Sequence, residues 1–214
     1  MKCDKHTMLV YAVTDRAWVG QMTLAQQVEA ALQNGATCIQ LREKDLDEAA
    51  FLQEAREMAD LCHRYHVPFI VNDNVDIAIA CHADGVHVGQ DDMAASDVRK
   101  RVGDDMMIGV SAHTVEEALE AVRNGADYLG LGAVFSTSTK TDAGAMSFDT
   151  LKAICDAVDV PTVAIGGISP ANILQLSGSG VDGVAVVSAI FGAPDPGQAT
   201  ARLVELSRRM VTGQ

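Results

Sequence analysis

Two cations and an amide occupy every second position of one short segment. Gln40, Arg42 and Lys44 alternate with Leu41 and Glu43 at the end of an apolar run. In an extended strand, residues two apart point to the same side, so the three polar side chains share one face. Cations on an interior face require an anionic partner. The segment therefore predicts an anion site, and the alternative is a surface strand end neutralised by neighbouring carboxylates.

Two carboxylates end the next two apolar runs. Asp73 follows Asn72, and Asp92 follows a Gly-Gln-Asp sequence. Carboxylates on neighbouring strand ends repel each other unless a cation lies between them, and Mg²⁺ is commonly held by one or two carboxylates together with phosphate oxygens. The alternative is that each aspartate caps a following helix. Together with the nearby cations, the pair favours a magnesium site that also binds a diphosphate.

A second anion site is predicted from three later loops. The apolar run 128–135 leads into Ser and Thr residues and Lys140, which could form an ordinary flexible loop or bind a phosphorylated ligand. Gly166-Gly167 and Val187-Ser188 end two further runs. In barrels of alternating strands and helices, the loops at these positions commonly bind a phosphate through backbone N–H groups. The alternative is a tight turn without a ligand.

His87 and His113 are the candidate acid–base groups. His87 alternates with Val86 and Val88, so it faces the same side as other interior positions, where a hydrogen-bonded structural role is expected. The sequence contains nothing that resembles a Ser/His/Asp triad, and no lysine lies in the centre of an apolar run, as a Schiff-base lysine would.

Composition limits the classes of partner. The chain has 214 residues, 48% of them hydrophobic, and a formal net charge of −13. This charge disfavours nucleic acid and anionic membranes, which bind basic surfaces. Five dispersed cysteines without ligand spacing indicate reduced thiols rather than a zinc site. An apolar leader and a stretch of eighteen apolar residues are both absent, so a cytoplasmic protein is expected.

Eight apolar runs of strand length alternate with amphipathic segments. The runs lie at 8–15, 38–44, 68–73, 85–90, 107–113, 128–135, 161–168 and 183–190. Thr23 and Gly35 bound one predicted helix, Thr114 and Gly125 bound another, and a longer helix is predicted over 47–66. This order predicts one domain, 1–214, folded as a (β/α)8 TIM barrel. An open doubly wound sheet is the alternative, but no GxGxxG follows the first run.

The polar residues follow the predicted strands, whereas the helix-to-strand turns carry Gly, Asn, Asp and Pro. Active sites of such barrels lie at the carboxyl ends of the strands. An ordered set of motifs then resembles the thiamine phosphate synthase (thiamine-phosphate pyrophosphorylase) family over about residues 8 to 192. The motifs are QLREK, VND, HVGQDD, GVSAHT, STSTK, AIGGI and VVSAI. The family often has proline at the position of Ser136.

The resemblance implies a role for each matching residue. The diphosphate would be held by Arg42, Lys44, Asn72 and Lys140, and Mg²⁺ by Asp73 and Asp92. The pyrimidine would contact Gln40 and lie near Ser111, within a binding segment that includes Leu41 and Glu43. The thiazole phosphate would lie beside Thr137, Ser138 and Thr139 and the N–H groups of Gly167, Val187 and Ser188. The implied catalytic residues are Arg42, Lys44, Ser111 and Lys140.

The implied reaction joins a hydroxymethylpyrimidine diphosphate to a thiazole phosphate with release of pyrophosphate. It needs cations and Mg²⁺ to stabilise the leaving group and no protein nucleophile. The loop that carries Lys140 is expected to close over both substrates. Two alternatives are a thiazole tautomerase of the same barrel type, which would need a proton shuttle such as His113, and a non-catalytic sensor of phosphorylated ligands. The expected partners are small molecules, with a homo-oligomer possible and no nucleic acid or membrane.

Overall fold

The computed structural model describes residues 3–136 and 145–213, and its strands form a closed parallel barrel. Each strand pairs with the next in sequence, and the eighth pairs with the first. The strands are β1 Val10–Val13, β2 Cys38–Leu41, β3 Phe69–Asn72, β4 Gly85–Val88, β5 Met107–Ala112, β6 Tyr128–Gly132, β7 Thr162–Ile165 and β8 Gly183–Val186. The predicted TIM barrel is confirmed, and the open doubly wound sheet is wrong.

Helices connect the strands on the outside of the barrel. They are α1 Leu24–Gln33, α2 Glu48–Arg64, α3 Val75–Ala80, α4 Ala95–Val102, α5 Val115–Arg123, α6 Phe148–Ala157, α7 Ser188–Phe191 and α8 Pro196–Thr212. The predicted ends of α1 are confirmed: Thr23 forms a capping box with Gln26, and Gly35 follows the helix at φ 96°. Asp47 caps α2, so this helix lies within the predicted range.

Alternation along each strand separates two apolar regions. Within β2, Ile39 and Leu41 belong to the large core between the strands and the helices, whereas Cys38 belongs to the core inside the barrel. Gln40 therefore points inward, and Leu41 packs on the helix side, as the sequence pattern predicts.

Several strands are shorter than predicted, which corrects two details. Because β2 ends at Leu41, Arg42 and Lys44 lie in the following loop and do not continue a strand row. Because β8 ends at Val186, Ser188 is the first residue of α7. In both places the predicted run extends past the last strand residue, so the sequence pattern overstates the strand length.

A repeated contact closes the amino-terminal end of the barrel. In four helix-to-strand turns, the residue just before the strand accepts a backbone N–H from the start of the preceding strand. The pairs are Thr37 with Val10, Asp84 with Phe69, Asp127 with Ile108 and Asp182 with Thr162, at 2.8–2.9 Å. The backbone N–H of each turn residue also donates to the carbonyl of the same strand residue. We call these four double contacts the strand clamps.

Three of the strand clamps also carry an ion pair or a histidine contact. Lys5 lies 2.9 Å from Asp182, and His63 lies 2.9 Å from Asp84. Arg99 pairs with Asp127 at 2.5 Å. Each of these carboxylates accepts a backbone N–H and faces a donor side chain, and both contacts stabilise the fold. The amino-terminal end is therefore structural.

Two further features concern the helices and the cysteines. Over 3–136 and 145–213, none of the helices has both the length and the apolar character needed to cross a membrane. The five cysteines are free thiols. Burial raises the pKa of Cys62 to about 12 and the pKa of Cys81 to about 11, so both stay protonated at neutral pH.

Candidate active site

A cavity of about 160 Å³ opens at the carboxyl ends of the strands. The predicted site residues that line it are Gln40, Arg42, Asn72, Ser111, Gly167, Val187 and Ser188. They come from β2, β3 and β5 and from the segments that follow β2, β7 and β8, and barrel closure brings them together. This is the end of the barrel at which TIM-barrel enzymes carry out their chemistry.

Gln40 and Arg42 enter this cavity from the end of β2. Gln40 is 5% exposed and donates through Nε2 to the hydroxyl of Tyr11 at 2.7 Å. The backbone N–H of Arg42 donates to Thr14, which fixes the chain just after the strand. The Arg42 guanidinium lies 3.8 Å from the carboxylate of Asp15, a long ion pair that leaves its donors able to bind an anion.

Lys44 lies in an adjoining depression with Asp73, and Asn72 lines both this depression and the main cavity. The Lys44 ammonium lies 2.6 Å from the Asp73 carboxylate. Asp73 adopts φ 61°, a left-handed conformation that aspartate tolerates better than most residues, and its N–H donates to the carbonyl of His87. This sharp turn directs the carboxylate toward the loop that carries Lys44.

Two side chains of the predicted binding segment point away from the cavity. Leu41 is fully buried in the helix-side core. Glu43 is buried against Arg16, with contacts of 3.0–3.2 Å, and Arg16 also binds Glu54 at 2.6 Å. The hydrogen bond to Glu43 raises the pKa of Arg16, and burial raises the pKa of Glu54. We call Arg16, Glu43 and Glu54 the carboxylate cluster.

Asp92 lies after β4 and accepts the backbone N–H of Gly89 at 2.7 Å. The described residues bring together no set of three or more His, Cys, Asp or Glu side chains able to hold a metal ion. Asp73 and Asp92 would thus supply at most two carboxylates. This donor set fits Mg²⁺, which often takes one or two carboxylates and completes its shell with water and substrate phosphate.

The glycine turn after β7 has a packing role that the sequence does not reveal. Gly166 and Gly167 adopt φ 103° and 63°, which strain any residue with a side chain. A Cβ at Gly166 would lie 2.5 Å from the Cβ of Ala133, and one at Gly167 would lie 2.5 Å from the carbonyl oxygen of Ser136. The turn thus packs closely against the segment that leaves β6, beside the cavity that Gly167 lines.

Four predicted site residues, Thr137, Ser138, Thr139 and Lys140, lie outside the described residues. His87 is hydrogen-bonded through both ring nitrogens, to Tyr128 at 3.1 Å and to Ser111 at 3.0 Å, which matches its expected structural role. His113 also lines the cavity, and it lies 3.0 Å from Glu117.

Sequence reasoning missed Tyr11, Tyr128 and Asp15. Tyr11 and Tyr128 are almost fully buried inside the barrel, and their hydroxyls lie 2.8 Å apart. A tyrosine at an inward strand position signals a polar network, because a buried hydroxyl needs a hydrogen-bond partner. The pairing itself joins residues 117 positions apart, so no local pattern indicates it.

A closed (β/α)8 barrel with a cavity at the carboxyl ends of its strands, lined by both polar and apolar residues, is typical of the class of TIM-barrel enzymes. A family model described as "Thiamine monophosphate synthase" matches residues 10–190. The chain belongs to this family, and the expectation of a transferase enzyme is confirmed at this level.

Named relatives agree with the family assignment. A thiamine-phosphate synthase from Ruminiclostridium cellulolyticum is 48% identical over 92% of this chain and 94% of its own length. One from Chloroflexus aurantiacus is 49% identical over 87% of this chain and 86% of its own length. The solved structure of a thiamine phosphate pyrophosphorylase from Pyrococcus furiosus superposes with a TM-score of 0.89 at 37% identity, covering 97% of this chain and 98% of that one.

Proposed function

We propose that this enzyme is a thiamine-phosphate synthase, which joins a 4-amino-2-methyl-5-(diphosphooxymethyl)pyrimidine to a 4-methyl-5-(2-phosphooxyethyl)thiazole. The products are thiamine phosphate and pyrophosphate. The observation that carries the proposal is the arrangement of one cavity, which has Arg42 and Asn72 on one side and the Gly167 turn and Ser188 on the other. Two groups of anion-binding residues suit two phosphorylated substrates better than one.

The first group of residues would hold the diphosphate. Arg42 is only loosely paired with Asp15, and Lys44 is half exposed beside Asp73. A diphosphate can bind the guanidinium in a bidentate manner and the ammonium as a point charge. Lys140 adds a further cation in this proposal. These groups stabilise the negative charge that grows on the leaving pyrophosphate.

Asp73 and Asp92 would hold Mg²⁺ in this proposal. Mg²⁺ supplies charge neutralisation at the diphosphate when it is bound. Because Asp73 also contacts Lys44, one carboxylate orients both the ammonium and the ion site. The ion pair keeps the Lys44 ammonium close to the depression before substrate binds.

The second group would bind the thiazole phosphate. The backbone N–H groups of Gly167, Val187 and Ser188 are the proposed donors, at the loops where TIM barrels commonly bind phosphate. Thr137, Ser138 and Thr139 would complete this side. The same groups hold the thiazole nitrogen near the pyrimidine.

The proposed chemistry breaks one bond and forms one. The pyrimidine CH2–O bond breaks, and its electron pair leaves with the pyrophosphate. The electron-rich aminopyrimidine stabilises the carbocation that remains, held between Gln40 and Ser111. The thiazole nitrogen then donates its lone pair to form the C–N bond. No residue has to remove a proton or form a covalent intermediate, and a dry cavity protects the carbocation from water.

Pyrophosphate release tests the proposal. Purified enzyme mixed with both substrates and Mg²⁺ should release pyrophosphate and form thiamine phosphate in equal amounts, and chelation of Mg²⁺ should abolish both. Conversion of thiazole phosphate alone would indicate the tautomerase instead. Binding of both compounds without turnover would indicate the sensor. We also place the enzyme in the cytoplasm, where its free thiols would stay reduced.

A further inference from the structure

A chain of hydrogen-bonded side chains crosses the interior of the barrel at the floor of the cavity. In order, its members are Gln40, Tyr11, Tyr128, His87 and Ser111. The four links measure 2.7, 2.8, 3.1 and 3.0 Å. Both ends, Gln40 and Ser111, line the cavity on different strands, and Tyr11 and His87 between them also line it. We call this chain the interior relay.

The fold makes room for the interior relay and buries most of it. Tyr11 and Tyr128 are 1% and 0% exposed, and His87 is 9% exposed. A Cβ on Gly109 would lie 2.1 Å from the Tyr128 ring and 2.4 Å from His87 Nδ1, so this strand position must be glycine. Burial raises the pKa of both tyrosines well above the usual value, so each hydroxyl keeps its proton at neutral pH.

One proton per hydroxyl gives the interior relay a direction. Gln40 Nε2 donates to the Tyr11 hydroxyl. The proton of Tyr11 then points to the Tyr128 oxygen at 2.8 Å, because the Cys38 thiol beside Tyr11 is only a weak acceptor. Tyr128 in turn donates to His87 Nδ1. A neutral imidazole that accepts at Nδ1 carries its proton on Nε2, which donates to the Ser111 hydroxyl.

We propose that the interior relay sets opposite hydrogen-bonding roles for the two cavity residues at its ends. Gln40 is held with its carbonyl oxygen available to accept from a ligand. Ser111 accepts from His87 and turns its own proton toward the ligand. Tyr128 and His87 are positioning residues, since they act through Gln40 and Ser111. The cavity thus selects a flat ring with an N–H donor at one edge and an acceptor at another.

The nature of the ligand in this inference rests on the proposed function. An aminopyrimidine has both features, because its exocyclic amine donates and its ring nitrogens accept. In an analogue with an oxo group in place of the amine, the oxo oxygen would face the carbonyl oxygen of Gln40. Both are acceptors, so no hydrogen bond forms between them. The relay therefore explains how neutral residues distinguish the two rings through hydrogen bonds to the ring edges.

The reversed relay is the other self-consistent arrangement, and it makes the opposite prediction. If the Gln40 amide oxygen accepted from Tyr11, each hydroxyl proton would point the other way. His87 would then carry its proton on Nδ1 and accept from Ser111 at Nε2. The tautomer of one histidine therefore reports the direction of the whole chain.

Nitrogen NMR of the ligand-free, full-length protein measures this tautomer directly. The chain has six histidines, and the His87 signals are assigned by their loss in His87→Gln. We expect a protonated Nε2 and a bare Nδ1. A proton on Nδ1, or on both nitrogens, would overturn the inference. The measurement needs no substrate, so it stands apart from the proposed function, which fails only if pyrophosphate is not released.

A second experiment tests whether the ends are coupled. At about pH 8 a carboxylate at position 40 only accepts, so Gln40→Glu should reverse the relay and move the His87 proton to Nδ1. Adding Tyr128→Phe breaks the link, so the tautomer in the double variant should no longer match that of Gln40→Glu. The matched control is Gln175→Glu on the exposed surface, which should leave the tautomer unchanged. An unchanged tautomer in Gln40→Glu would show that the two ends are not coupled.

A kinetic measurement links the relay to substrate choice. Tyr128→Phe should lower kcat/KM for the pyrimidine diphosphate by about tenfold, because it removes the two buried hydrogen bonds that the Tyr128 hydroxyl makes in the relay, while KM for the thiazole phosphate stays the same. It should also reduce the preference for the amino over the oxo pyrimidine. Equal loss for both pyrimidines would indicate a merely structural tyrosine and would contradict the assigned role.

Discussion

The two ends of the barrel use the same pair of residue types in different ways. At the amino-terminal end, Asp182 pairs with Lys5 at 2.9 Å and also accepts the backbone N–H of Thr162. At the carboxyl-terminal end, Asp73 pairs with Lys44 at 2.6 Å, and both side chains line a depression. The exposed side-chain fraction is 9% for Asp182 and 27% for Asp73.

The difference lies in what the carboxylate does for the backbone. Asp182 satisfies a buried N–H, so removing it leaves a polar group without a partner. Asp73 contacts a half-exposed ammonium, and water can replace that contact at little cost in stability. An Asp–Lys pair is therefore a candidate for a functional role only when neither side chain is needed to hydrogen-bond the backbone of a strand. The two ends are separable by mutation.

The largest expected effect is on catalysis at the carboxyl-terminal end. If Lys44 acts as in the proposed function, Lys44→Ala should lower kcat/KM for pyrophosphate release by about 100-fold or more, because one donor to the developing charge is lost. The melting temperature should change by only a few degrees, since an exposed ion pair contributes about 0–1 kcal/mol. Steady-state kinetics and calorimetry of the same preparations test both expectations.

Lys152→Ala provides the matched control for Lys44→Ala. Lys152 is about as exposed as Lys44 and pairs with Asp156 on α6 at 2.9 Å, away from the cavity. Lys152→Ala should change neither kcat/KM nor the melting temperature. A Lys44 variant with full activity, or with a large loss of stability, would erase the contrast between the two ends.

The next effect is on stability at the amino-terminal end. Asp182→Ala should lower the free energy of unfolding by about 2–3 kcal/mol, because the N–H of buried Thr162 loses its acceptor. Its kcat/KM should stay within about twofold of the wild-type value, since the clamp lies at the opposite end of the strands from the cavity. Denaturant unfolding and kinetics measure the two quantities.

Lys5→Ala separates the two contacts of Asp182. Lys5 is largely exposed, so its loss should cost less than about 1 kcal/mol. Equal destabilisation by Lys5→Ala and Asp182→Ala would mean that the ion pair, and not the N–H acceptor, makes the clamp. A strong loss of activity in Asp182→Ala would refute the division between ends.

The smallest effect tests the carboxylate cluster, a structural device at the catalytic end. Arg16→Ala should destabilise the protein by about 1–2 kcal/mol at neutral pH, less than for a fully buried pair because Arg16 is partly exposed. Burial raises the pKa of Glu54, and Arg16 opposes that rise. A carboxyl group whose pKa is raised in the folded state stabilises the folded protein most at pH values below its ordinary pKa. That stabilisation is lost as the pH rises.

The difference in melting temperature between Arg16→Ala and the wild type should therefore widen from about pH 4 to about pH 7. Melting curves at several pH values measure this difference. A constant gap would show that the charges of Glu43 and Glu54 are not responsible.

The barrel was predictable from the sequence because its signals are local. Strand-length apolar runs, the Thr23 cap and the Gly35 stop each report on a few neighbouring residues, and all agree with the structure. The placement of polar residues after the strands also follows from the chain alone. These features predicted the end of the barrel at which the cavity opens.

The finer geometry of the site was not predictable in this way. Arg42 and Lys44 lie two positions apart, which in a strand would place them on the same face. Because β2 ends at Leu41, both lie in the following loop, and they line different pockets. Where a ladder ends depends on hydrogen bonds to other strands. The Tyr11–Tyr128 contact and the Gly166 packing on Ala133 depend likewise on distant segments.

The strand clamps determine where the chain can be opened in a circular permutant without separating a clamp. They join β1 to β2, β3 to β4, β5 to β6 and β7 to β8, so each covers one odd–even pair. A circular permutant opened between β2 and β3 keeps every clamp within a continuous stretch of backbone. A permutant opened between β3 and β4 must form the Asp84–Phe69 contact between its two new terminal segments. The clamps therefore divide the barrel into four modules of two strands each.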